Sequence, residues 1–208
     1  MVSSGNCKKS GKILLFNDSA TNNILNAFIR SILNLKIVKP QTGAAAPKAE
    51  SASTHLRLQK AAGFSNTIII GIKEGGVPFA GLIKKDIKSR FKIDCKIGYI
   101  DMTLYRDDPF SIKKPVKSTE LPFDIEDKDV ILVDDVISSG RTVRAAIDEI
   151  FDFGRPKSIK LAVLIDKGGR ELPICPDFVG KKIKAGKDEI IHVDILSKEK
   201  HIDKIIKK

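Results

Sequence analysis

The sequence predicts an α/β fold organised as a doubly wound parallel sheet, and three features carry that prediction. Short apolar runs rich in isoleucine and valine, at 67–73, 129–134 and 159–165, alternate with longer segments whose apolar residues recur at helical spacing. Those runs are apolar at consecutive positions, the pattern of strands covered on both faces. Each ends in a polar or glycine-containing turn: Lys73-Glu74-Gly75-Gly76, Asp134-Asp135 and Asp166-Lys167-Gly168-Gly169. Such alternation gives a parallel sheet whose ligands bind at the carboxyl edge of its strands. The chain has no internal repeat, and its 208 residues suffice for one substantial core, so a single domain over 1–208 is expected.

Residues 12–17 read as a short strand. Asp18-Ser19 offer a helix N-cap, and Ile24, Leu25, Phe28, Ile29, Ile32 and Leu33 share one face of a helix near 20–34. An N-terminal strand-and-helix unit over 12–35 results. From 38 to 53 the composition shifts to alanine, serine and glycine with two prolines and no apolar period, which predicts a flexible insertion. A second helix is expected near 54–62, and the core of the fold over 66–195. Within it, Gly75-Gly76 breaks the first strand and an amphipathic helix runs from 77 to about 91. A strand over about 94–104 leads to a mobile loop at 107–120, which contains two prolines. The 129–134 strand precedes a helix at 141–153, stopped by Gly154-Arg155-Pro156. After the 159–165 strand come short strands near 177–183 and 189–195, and residues 196–208 are expected as a basic tail.

The formal net charge is +11, and where it lies matters more than its size. Residues 1–60 hold 9 Lys/Arg against 2 Asp/Glu, residues 61–180 hold 19 of each, and residues 181–208 hold 9 against 5. A positive end can neutralise nucleic-acid phosphates, but it is also what a solvated periphery looks like. The balanced middle slightly favours the periphery. Cys7, Cys95 and Cys175 are odd in number and in no metal-binding spacing, so they read as incidental or buried thiols of a reducing compartment. There is no apolar stretch of membrane-spanning length and no apolar signal core near the N-terminus, so a cytoplasmic location is expected.

The run from Val130 to Thr142 is the most informative in the chain. It sets Asp134 and Asp135 at the end of an apolar strand, then Val136-Ile137-Ser138-Ser139-Gly140-Arg141-Thr142, then a helix. A helix N-terminus offers unpaired N–H groups and partial positive charge, which suits a phosphate. Gly140 allows close backbone approach, and the hydroxyls of Ser138, Ser139 and Thr142 add donors. Adjacent carboxylates beside a phosphate cradle suit a ligand with both a phosphate and vicinal hydroxyls, which describes a sugar phosphate. The plainer alternative is a buried strand whose polar end caps the next helix. The thirteen-residue run as a whole favours the ligand site.

That run resembles the phosphoribosyl-diphosphate binding motif of the type I phosphoribosyltransferases. A closer resemblance covers about 66–195. It rests on Ile97-Gly98-Tyr99-Ile100-Asp101-Met102-Thr103-Leu104-Tyr105-Arg106-Asp107-Asp108, Leu121-Pro122-Phe123-Asp124-Ile125, Val143-Arg144-Ala145-Ala146-Ile147-Asp148, Phe153-Gly154-Arg155-Pro156 and Arg170-Glu171-Leu172-Pro173-Ile174. These segments are similar to the bifunctional family of pyrimidine-operon attenuation regulators and uracil phosphoribosyltransferases. The resemblance implies a type I phosphoribosyltransferase-like sheet with a small hood and a flexible lid loop. It implies uracil and phosphoribosyl diphosphate as substrates, with Asp134 and Asp135 on the ribose and its Mg²⁺. The 136–142 loop would hold the 5′-phosphate, and Lys73, Glu74, Gly75 and Gly76 the pyrophosphate. Arg106 would close over the leaving group, and Ile165, Asp166 and Lys167 would meet the base. It further implies uridine nucleotides as effectors, a leader-mRNA stem-loop contacted by Arg30, Arg155, Arg170 and Lys181, and assembly as a homodimer or higher oligomer.

The chain departs from that family in places. The family's pyrophosphate loop reads Lys-Thr-Arg-Gly where this chain has Lys73-Glu74-Gly75-Gly76, and losing an arginine while gaining a carboxylate weakens grip on an anion. A basic residue is replaced by Cys175, the histidine of Gly-His-Arg-Glu-Leu falls at Gly169, and a threonine and histidine tied to RNA binding fall at Asn26 and Arg30. Alternatives are therefore a non-catalytic RNA-binding nucleotide sensor and a phosphoribosyltransferase without a regulatory role. A phosphorelay receiver also begins from Leu-Val-Asp-Asp, but only 73 residues follow Asp135, too few for the later acceptor strand.

Overall fold

The computed structural model describes residues 12–34, 64–73, 75–102, 119–186, 189–198 and 200–206. In chain order the elements are β1 (Lys12–Phe16), α1 (Asp18–Asn34), β2 (Thr67–Lys73), α2 (Gly76–Phe91), β3 (Lys96–Asp101), β4 (Asp129–Ile137), α3 (Arg141–Asp152), β5 (Ser158–Asp166), β6 (Phe178–Lys182), β7 (Glu189–Asp194) and β8 (His201–Ile206). Five of the strands form a parallel sheet in the order β3-β2-β4-β5-β6.

The consecutive apolar runs are explained by burial on both faces. Ile68, Ile69, Ile70 and Ile72 of β2 are all at most 1% exposed. Ile69 joins Ile131 and Val133 beneath Leu25 and Phe28 of α1 and Phe79 and Ile83 of α2. Ile68, Ile70, Leu132 and Val163 pack on the opposite face against Val143, Ala146 and Ile150 of α3. Each isoleucine so buried contributes about 1.5–3 kcal/mol, which makes β2 and β4 the mechanical centre of the fold. The chain leaves β2 for β3 on one side and returns to β4 on the other. The switch in winding direction therefore falls between β2 and β4, and a crevice opens there beyond the strand ends.

A second, antiparallel sheet has the order β1-β8-β7. It corrects the expectation of a basic tail over 196–208: His201–Ile206 is the central strand of this hood. The lysines in and around it at 198, 200, 204, 207 and 208 obscure its apolar content in the sequence, and of its two partners the strand at 12–16 lies at the far end of the chain. Ile202 is fully buried in the cluster beneath α1 and α2. The expected N-cap also moves by one residue. Asn17 Oδ1 accepts the Ala20 N–H at 3.1 Å, while Asp18 Oδ1 accepts the Lys200 N–H at 2.9 Å and so ties α1 to the hood.

Two further bounds differ from expectation. β4 continues past 134 to Ile137, with Val136 and Ile137 still paired to Ile165 and Asp166, so the acidic pair lies within the strand. The strand expected over 94–104 is Lys96–Asp101, because α2 ends in a left-handed Lys92. The insertion at 38–53, the helix near 54–62 and most of the loop at 107–120 lie outside the described residues.

Candidate active site

Beyond the carboxyl ends of β4 and β5 lies a cavity of about 720 Å³. It is lined by the whole run from Asp134 to Val143, by the loop after β5, and by the hood. β4 delivers the acidic pair. Asp134 is 2% exposed and its Oδ1 accepts the Asp135 N–H at 2.9 Å; Asp135 Oδ1 accepts the Val136 N–H at 2.8 Å. Each carboxylate is thus fixed by the next backbone amide, so neither needs reordering to meet a ligand.

The turn after β2 is pressed against this pair. A Cβ at Gly75 would clash with the Asp135 carboxylate, and one at Gly76 with the Val133 carbonyl oxygen. Only glycine lets the turn come so close. At position 75, where the related family carries arginine, the space is already filled by Asp135. Gly75 is also the residue from which α2 begins, with no side-chain cap, so the amino end of a helix faces a carboxylate. Lys73 behaves differently from expectation. Its ammonium is turned to Glu120, at 2.7 Å, and it does not line the cavity. Glu74 and Arg106 lie outside the described residues.

After β4 the chain turns into α3 through Ser138, Ser139 and Gly140. Gly140 takes φ +93°, a conformation that would cost an L side chain about 1–2 kcal/mol, and it serves as the N-cap of α3. Ser139 Oγ accepts the Arg141 N–H at 3.4 Å, while the Ser139 carbonyl accepts the N–H groups of Glu171 and Leu172 at 3.0 and 3.2 Å. The phosphate-type loop is therefore braced from behind by the segment after β5.

Arg170 supplies the main brace. Its Nε donates to the Ile174 carbonyl at 2.9 Å, one terminal nitrogen donates to the Ser138 carbonyl at 2.8 Å, and the other pairs with Asp166 at 2.9 Å. Sequence reasoning grouped Arg170 with surface residues for RNA, whereas here its guanidinium ties two active-site loops together. The other three are exposed but scattered. Arg30 and Lys181 sit on α1 and β6, which pack together. Arg155 precedes β5, at the opposite edge of the sheet from Arg170, and β5 alone spans about 26 Å.

The expected base-contacting residues also divide. Lys167 lines the cavity and donates from Nζ to the Glu189 carbonyl at 2.7 Å, bridging core and hood. Ile165 is fully buried in the core. Asp166 Oδ1 accepts the Gly168 N–H at 3.0 Å besides pairing with Arg170, and its carbonyl accepts the Ile183 N–H, so it shapes the loop and does not line the cavity. Sequence reasoning missed the hood lining of Ala185, Gly186 and Glu189–His192. Only the position of β7, just after the last core strand, could have hinted that these residues return over the site.

A profile of the phosphoribosyl transferase domain matches residues 42–200. The bifunctional protein PyrR of Clostridioides difficile is 48% identical over 145 residues, covering 69% of this chain and 82% of that protein. That of Limosilactobacillus fermentum is 42% identical over 165 residues, covering 77% and 92%. Among solved structures, the hypoxanthine phosphoribosyltransferase of Trypanosoma cruzi superposes with a TM-score of 0.60 at 17% identity over 94% of this chain and 97% of that one, a likeness of fold alone. With a parallel sheet switched between β2 and β4 and an acidic pair at that switch, the chain belongs to the phosphoribosyltransferase family, in the branch of the bifunctional PyrR proteins.

Proposed function

We propose that the protein is a uracil phosphoribosyltransferase that also regulates pyrimidine genes by binding leader mRNA in response to uridine nucleotides. The observation that carries the catalytic half is the convergence, on one cavity, of an acidic pair and a braced loop at a helix N-terminus, with a two-glycine turn packed against the acidic pair from behind. In the reaction, uracil N1 attacks the anomeric carbon of phosphoribosyl diphosphate. The new N–C bond forms as the C–O bond to pyrophosphate breaks, and the N1 proton is lost. Positive charge develops on the ribose ring as the leaving group departs. Asp134 and Asp135 hold the ribose hydroxyls and stabilise that charge, while Ser138–Thr142 grip the 5′-phosphate at the start of α3. The Gly75-Gly76 turn offers backbone N–H groups to the pyrophosphate. Lys167 holds the hood over the base.

The donor set suits Mg²⁺: two carboxylates, each oriented by a backbone amide, in a water-accessible cavity. Asp134 and Asp135 would hold the ion, and when bound it would neutralise pyrophosphate charge while keeping several waters. Arg106 is a candidate for covering the leaving group. Arg30, Lys181 and Arg155 are exposed cations available to RNA, with Arg170 acting as a brace, and assembly as a homodimer or larger oligomer would multiply such contacts. Among the described residues no helix is long and apolar enough to cross a membrane.

The test is uracil-dependent pyrophosphate release from phosphoribosyl diphosphate with Mg²⁺, with hypoxanthine and orotate as controls. Turnover with uracil alone is expected. No turnover, together with binding of uridine monophosphate and of a pyrimidine leader RNA, would leave the sensor reading instead.

A further inference from the structure

The hood carries a second group of chemically capable side chains. On the antiparallel β7–β8 pair, His192 stands opposite Asp203, and His201 lies two residues before Asp203 on the same face. One donor atom from each of the three lies within 4.8 Å of the others. His201 Nε2 and Asp203 Oδ2 are 3.2 Å apart. Ligands bonded at about 2.0–2.1 Å to a tetrahedral ion stand about 3.3 Å from one another, so this edge already has ligand spacing. The two imidazole rings are 6.4 Å apart between centroids, within reach of a side-chain rotation. Burial is graded, from Asp203 at 1% exposed, through a partly buried His201, to an exposed His192. All three sit on paired strands, the rigid kind of support that a coordination site needs.

We propose that His192, His201 and Asp203 form a divalent transition-metal site in the hood, with zinc the expected ion. Two neutral imidazoles and one carboxylate are a borderline donor set that favours zinc over Mg²⁺ or Ca²⁺, which prefer all-oxygen ligands. Three protein ligands leave at least one position for water or a cleft ligand. Asp194 is paired across the strands with His201, and its Oδ1 accepts the Leu196 and Ser197 N–H groups at 3.0 Å, so it is fixed as a second carboxylate beside the site. His192 lines the large cavity and also a smaller one of about 510 Å³ shared with Gly75, Pro78 and Phe79. A bound ion would clamp β7 to β8 where the hood meets the start of α2. This site does not depend on phosphoribosyl transfer. The plainer alternative is a His201–Asp203 ion pair with His192 a bystander, and the two differ on His192.

The experiment is a Co²⁺ titration of the full, untagged chain after chelator treatment, followed by visible absorption. One ion per chain, with d–d bands of a low-coordinate site displaced by Zn²⁺ but not by excess Mg²⁺, is expected. His192→Ala, at an exposed position, should keep the circular dichroism of the apo chain and weaken Co²⁺ at least about tenfold, as should His201→Ala. Asp134→Asn with Asp135→Asn should leave the cobalt spectrum unchanged. The proposal falls if the wild type takes up no stoichiometric Co²⁺, if uptake survives both histidine substitutions, or if uptake is lost only with the acidic pair.

Discussion

The two edges of the central sheet are built from the same strands but spend their polar groups differently. At the amino edge, side chains and backbone are satisfied by one another. Lys128 Nζ donates to Asn66 Oδ1 at 2.9 Å, Asn66 Nδ2 donates to the Asp127 carbonyl at 2.8 Å, and Ser158 Oγ donates to Asp129 Oδ1 at 2.6 Å. Arg155 N–H reaches Glu126 Oε2 at 2.9 Å. At the carboxyl edge, carboxylates line a cavity, glycines replace side chains at the β2 turn, and Gly140, Gly168 and Gly169 all take positive φ. One edge fastens strands; the other holds an arrangement that costs stability, as the proposed ligand site would require.

The comparison breaks most decisively if the carboxyl edge tolerates losing its charge. Asp134→Asn with Asp135→Asn should lower phosphoribosyl transfer more than about 100-fold while leaving the melting temperature equal or higher, because two adjacent carboxylates are no longer held together. Undiminished turnover in a coupled pyrophosphate assay would refute the ribose site.

How much of this was legible in the sequence follows from where each contact lies along the chain. β2, β4 and β5 were legible because burial on both faces writes unbroken apolar runs, and the acidic pair was legible because the strand, loop and helix around it are contiguous. The press of Gly75 against Asp135 was not, since it joins residues 60 apart through tertiary packing. Arg170 read as a surface cation because nothing local reveals that Ser138 and Ile174 present carbonyls to it. β8 was missed for a related reason, since its partner β1 lies at the far end of the chain and its short run His201-Ile202-Asp203-Lys204-Ile205-Ile206 sits among lysines that read as a solvated tail.

A paired substitution sharpens the contrast. Gly76→Ala drives a methyl into the Val133 carbonyl and should cost about 1–3 kcal/mol, by overpacking, together with a loss of activity from displaced Asp134. Ser158→Ala, at the amino edge of the sheet, removes its bond to Asp129 and should cost about 1 kcal/mol with turnover unchanged. Urea unfolding and steady-state kinetics on both variants would separate the two edges; equal effects on turnover would erase the distinction.

The smallest expected effect tests whether the amino edge is fastened by charge. Asp94, just before β3, faces Lys88 Nζ at 3.2 Å and Lys84 Nζ at 3.7 Å, both from α2. The hydrogen bond from Lys88, then the charge of Lys84, hold its carboxyl below the ordinary 3.8. A carboxyl depressed on folding stabilises the native state above its unfolded pKa, and that stabilisation fades as pH falls through the lower folded value. Because the cluster is solvent-exposed, the effect should also weaken in high salt. Asp94→Asn should therefore lower the urea midpoint slightly at about pH 6 in low salt and make no difference near about pH 2. A difference that persists in acid would mean that Asp94 acts through packing or backbone geometry, and that the amino edge is held by shape more than by charge.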